Sequence, residues 1–132
     1  MITQLKKLVK SKRGQSIVEF ALVMPIYVLI LMGIIEFGRV WMTMNVLSSA
    51  AREGARIAAV TGPDVSRVKT AVNNTLSAGN ISNGTVTVSG PNSASEVRVT
   101  VQITYRPITG GIVPGLSSEI QLSKATTMRW EG

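Results

Sequence analysis

Between Glu19 and Glu36 the chain runs for sixteen residues without a charge, inside the segment IVEFALVMPIYVLILMGIIEF at 17–37. At about 1.5 Å per residue in a helix those sixteen cover roughly 24 Å, a little under a hydrocarbon core of about 30 Å. Phe37, Gly38, Val40 and Trp41 extend the apolar stretch, and the ring of Trp41 suits the level of lipid headgroups. A single membrane-spanning helix is therefore expected, placed at 15–42, with 1–14 as a basic leader and 43–132 as a domain outside the bilayer. Pro25 is tolerable in such a helix, with a mild kink, because lipid offers the backbone no competing partner and neighbouring helices restrain it.

Of 132 residues, fourteen are Lys or Arg and seven are Asp or Glu, a formal charge of +7. Lys6, Lys7, Lys10, Lys12 and Arg13 lie ahead of residue 14 with no acid among them, leaving nine basic against seven acidic residues over the rest. A basic tract directly before an apolar run holds that end on the cytoplasmic side, so the charge argues for membrane orientation and no nucleic-acid partner. Cysteine and histidine are both absent, which removes thiol nucleophiles, imidazole bases, disulfides and nearly every zinc pattern. No nucleophile–base pair, metal cluster or phosphate-cradling glycine loop is visible, so the expectation is no enzyme, no metal and no cofactor.

The helical signal continues past the apolar run, with Leu47, Ala51, Gly54 and Ala58 spaced by four, three and four. Two rows of small residues, Ala50, Gly54, Ala58 and Ala51, Ala55, Ala59, either admit a partner backbone or form a narrow core face, and spacing leaves both readings open. Thr61-Gly62-Pro63 ends this helix, and Pro63 with Asp64 begins a short second one with Val65, Val68, Val72 and Leu76 on one face and Gly79 as its stop. From Thr85 the period becomes two. TVTVS, EVRVTVQITY and EIQLSKATTMRW predict three strands, with Val97, Val99, Val101, Ile103 and Tyr105 sharing a face. Gly90 to Ser93 forms the first turn, and Pro107 to Gly115 the longer second connection. The fold class expected is α+β: a long N-terminal transmembrane helix, a short second helix, and an antiparallel sheet of about three strands packed on the helices.

Charged residues on the first helix carry their own readings. Glu19, inside an apolar run, is a functional candidate that either finds a partner or is hydrated among headgroups. Glu36 and Arg39, three apart at the outer boundary with Trp41, can pair and fix the depth of insertion. Arg52, Glu53 and Arg56 either contact a partner or form a solvated helix face. Three Asn-x-Ser/Thr tripeptides, at Asn73, Asn80 and Asn83, read as helix-end and turn chemistry, and Glu96, Glu119 and Glu131 as scattered surface charges.

The segment KSKRGQSIVEFALVMP at 10–25 resembles the processing site of type IV prepilins: a basic leader, a glycine, a glutamate five residues past the cut, an aromatic, and an apolar helix with an early proline. The resemblance implies cleavage by a prepilin peptidase between Gly14 and Gln15. It also implies an assembly role for Glu19 and Phe20, with Glu19 pairing with the amino terminus of a neighbouring subunit. A secretory signal would instead be cut beyond its apolar region, discarding the helix. EFGR at 36–39 and AAREGARIAA at 50–59, with ATTMRWEG at the far end, further resemble the TadE-like proteins of the tight-adherence (Flp) pilus system. That family implies a minor pseudopilin in an inner membrane, whose partners are the bilayer, other pilin subunits, the assembly machinery and the peptidase. The competing reading is a tethered extracytoplasmic binding module that is never processed.

Overall fold

A computed structural model describes residues 12–62, 64–112, 115 and 117–131, with the side chains of 12 and 13 left aside. The leader before Lys12, with Lys6, Lys7 and Lys10, and the expected helix-starting Pro63 lie outside the described residues. Helix α1 (Lys12–Thr61) is one element of 50 residues with Pro25 inside it, joining the apolar run and the small-residue segment in a single helix. It is followed by α2 (Val65–Ala78), β1 (Gly84–Ser89), β2 (Glu96–Tyr105) and β3 (Ile120–Arg129), the α+β arrangement that the change of period predicts. The chain divides into two compact units, one ending at Phe37 and one beginning at Gly38.

The described residues of the first unit belong to α1, and most of their apolar side chains are bare. Ile17, Leu22, Ile34 and Phe37 are all more than 60% exposed, and no part of the most apolar window of the helix is buried. That much apolar surface in water is unfavourable by about 25 cal/mol per Å², which a hydrocarbon surrounding removes. This is the one helix among the described residues that is long and apolar enough to cross a membrane. The chain is accordingly a single-pass membrane protein.

The second unit has a core of its own. The sheet is a meander in the order β1-β2-β3, antiparallel throughout. Alternation along β2 buries Val97, Val99, Val101, Ile103 and Tyr105 and exposes Arg98, Gln102 and Thr104 on the other face. The buried face meets Leu47, Ala50, Ala51, Ala55 and Ala58 of α1 and Val68, Val72 and Leu76 of α2 in one cluster. At the end of α1, Thr61 donates its hydroxyl to the Ile57 carbonyl at 2.8 Å, and Gly62 takes a left-handed φ of 77°. After β3, the Trp130 N–H reaches the Ser95 carbonyl at 2.7 Å, and the Glu131 N–H the Ala59 carbonyl at 3.4 Å. Trp130 and Glu131 are thus tied to the β1–β2 connection and to α1.

Two details differ from the sequence reading. Asp64 stands outside α2 as its N-cap, where its carboxylate accepts from the Ser66 and Arg67 N–H groups at 3.0 and 3.4 Å. Val65, expected on the apolar face, is 44% exposed. At the other end Gly79 is the C-cap, with an ordinary φ of −88°, and the left-handed residue is Asn80 at +60°. The Ile81 N–H bonds to the Leu76 carbonyl and the Asn80 N–H to the Ser77 carbonyl, both at 2.9 Å, the paired bonds of a Schellman motif. Gly79 is required for another reason: a Cβ there would stand 2.5 Å from Val46 Cγ1 of α1.

Candidate membrane anchor and assembly surface

Helix α1 carries every residue that the sequence singles out for a role, and its geometry sorts them. Gly14 and Gln15 lie within the helix, Gly14 half-buried and Gln15 exposed. Glu19 and Phe20 are exposed on the bare apolar stretch. Glu36 and Arg39 stay one turn apart on α1, Glu36 half-buried and Arg39 exposed, and Trp41 is 63% exposed. Arg39 also lies over the ring of Tyr105, its guanidinium carbon 5.7 Å from the centroid. A cation at that range is drawn to the ring face and couples α1 to the end of β2.

Farther along, the small residues separate from the charged ones. Ala50 and Ala58 are fully buried and Gly54 is buried with them, all inside the domain's own core. A Cβ on Gly54 would stand 2.6 Å from Val72 Cγ2 and 3.1 Å from Val99 Cγ1. The close approach that this row permits is made by α2 and β2 of the same chain, so of the two readings left open by spacing, these three positions take the core one. Ala59 is only half-buried.

Arg52, Glu53 and Arg56 occupy the opposite side. Arg56 holds Glu53 with two bonds, Nη2 to Oε1 at 2.7 Å and Nε to Oε2 at 3.0 Å. That hydrogen bonding keeps the Glu53 carboxyl below its usual range, against an opposing effect of burial and with a lesser contribution from charge attraction, and it raises Arg56 further. Arg52 is exposed beside them.

A groove of about 710 Å³, unforeseen in the sequence, opens on the second unit between α1, the α2–β1 connection and the end of β2. Beside it Arg106 donates to Glu119, Nη2 to Oε1 at 2.7 Å and Nε to the same oxygen at 3.0 Å. Glu119 therefore belongs to an ion pair, although its position in the sequence suggests only surface charge. The register explains the meeting: Tyr105 pairs with Ile120, which sets the residues just outside the two strands opposite each other. Among the described residues no group of His, Cys, Asp or Glu is arranged to hold a metal.

These features define a class: a small α+β domain continuous in chain with one bare apolar helix near the N-terminus, a single-pass membrane protein. The model of the TadE-like protein family matches residues 14–56, from the glycine before Gln15 through Arg56, and over this stretch the chain is TadE-like. The match falls wholly on α1. No curated protein and no solved structure matches the chain.

Proposed function

We propose that the protein is a minor pilin, or pseudopilin, that takes part in assembly of a tight-adherence pilus from a bacterial inner membrane. The observation carrying this reading is the coincidence, on one helix, of the TadE-like match at 14–56 with an apolar surface bare enough to need lipid or other helices around it. Its N-terminus is cytoplasmic, by the basic tract at 6–13, and its second unit lies in the periplasm or outside the cell. A prepilin peptidase cuts after Gly14, and Gln15 then supplies a free amino group four residues before Glu19. An exposed carboxylate on an apolar helix is costly in hydrocarbon, and a neighbouring subunit's amino terminus offsets that cost best. The protein has no enzymatic role in this scheme.

The N-terminus of the mature protein tests the proposal. In cells that hold the matching peptidase, intact mass and N-terminal sequencing are expected to give a chain starting at Gln15. A chain that keeps residues 1–14 under those conditions would instead indicate an unprocessed tether for an extracytoplasmic binding module.

A further inference from the structure

The sheet of the second unit has a long open edge. Among the described residues β3 pairs with β2 alone, and the register runs one to one from Glu96 with Arg129 to Tyr105 with Ile120, with no bulge to bend the strand away. The outward N–H and C=O groups of an edge strand are a template for another strand. Apolar side chains also reach this edge. Ile120, Leu122 and Met128 stand opposite Tyr105, Ile103 and Val97, on the side of the sheet that meets the helices. Leu122 and Met128 are only partly buried against the core, and Ile120 is 40% exposed.

Lys124 stands in the middle of that row. It is directly opposite the fully buried Val101, yet is itself exposed, and it is the one charged residue between Glu119 and Arg129. Alternation thus sets a cation on the core side of an edge strand, where an apolar side chain would continue the core. A lysine there keeps its ammonium in water only while no second strand lies against the edge. The consequence is sharpest for a second copy of this chain. Two β3 edges joined antiparallel by a two-fold axis keep their apolar sides together only when even-numbered residues oppose even-numbered ones. The longest such registers pair 120–128, or 121–129, with the same stretch of the copy. The first sets Lys124 opposite its own copy, and the second sets it opposite Thr126 of the copy, with the two lysines as diagonal neighbours. Like charges at those positions oppose pairing. We infer that Lys124 keeps β3 from joining the β3 edge of a second copy, so that chains crowded in one membrane do not fuse their sheets. The inference takes that crowding from the single-pass reading, and rests on neither processing nor a pilus role.

The chain has no cysteine, so Ala125→Cys, on the exposed face of β3, gives a single reporter that lies opposite or diagonal to its copy in both registers. Full-length protein carrying it, in detergent with a short bis-maleimide, is expected to give little crosslinked dimer on denaturing gels. Adding Lys124→Val is expected to raise the dimer about fivefold, and Lys124→Gln to raise it less. Lys124→Glu alone is expected to give little dimer at neutral pH, whereas its mixture with the Lys124 protein gives the dimer that neither gives alone, because opposite charges then meet. Thr126→Val adds apolar surface on the same face but keeps the cation, and is expected to behave as the parent does. Thr87→Cys, on β1 at the other side of the sheet, is expected to crosslink equally with and without Lys124→Val, which separates β3 pairing from association through the apolar helix. Equal crosslinking through Ala125→Cys with and without Lys124→Val would overturn the inference, as would a rise with Thr126→Val as large as that with Lys124→Val. Should Lys124→Val lose its circular-dichroism signal, the Lys124→Glu mixture decides, and no dimer from it would overturn the inference too.

Discussion

At the scale of single residues, the same side chain type does different work according to its neighbours. Glu53 and Glu119 are both exposed-side carboxylates answered by an arginine, one within a helix turn and one across a hairpin end. The first is legible from i,i+3 spacing, whereas the second appears only when the register of β2 and β3 is known. Glu53 has its carboxyl pKa lowered by Arg56, so the folded state holds its proton less tightly than the unfolded chain. The stabilisation is present above the unfolded-state pKa and fades as the pH falls through the lower folded value. Because both partners are largely solvated, the effect is small. Thermal melts from pH 7 down to about pH 3 are expected to show a slightly shallower acid decline for Glu53→Gln than for wild type. Identical slopes would mean that the pair contributes nothing.

Among elements, α1 and α2 are joined by residues chosen for closeness. Gly54 lets Val72 and Val99 approach α1, and Gly79 lets Val46 approach the end of α2. Sequence spacing shows the small row on α1 but not what fills it, because an alanine-rich face looks the same against a partner and against its own sheet. Gly54→Leu adds four carbons to a fully occupied site, and overpacking of this kind costs about 1–3 kcal/mol, or more where the backbone cannot shift. Urea unfolding of the full chain in detergent is expected to show that loss, while Arg52→Ala changes stability by less than about 0.5 kcal/mol. Equal stability of wild type and Gly54→Leu would place this face outside the core. Gly79 carries a related lesson: it caps α2 as expected but with an ordinary φ, the left-handed residue is Asn80, and glycine is needed for contact with Val46.

For the molecule as a whole, the bare apolar stretch of α1 and the self-contained core of the second unit separate two needs, lipid-like surroundings and ordinary folding. Glu19→Ala is therefore expected to insert and fold normally, because the residue lies outside the core, while piliation seen by electron microscopy falls sharply. Normal piliation would make Glu19 a hydrated bystander. The sequence by itself determined the apolar helix, the three strands and the face that β2 buries. Those properties are local: a run without charge and a period of two constrain structure whatever lies elsewhere in the chain. The order β1-β2-β3, the filling of the small-residue face, the Arg106–Glu119 pair and the groove beside Arg39 were decided only by tertiary structure. Each joins residues far apart in the chain, and the free energy that selects such neighbours comes from burying the shared core, which no single segment encodes.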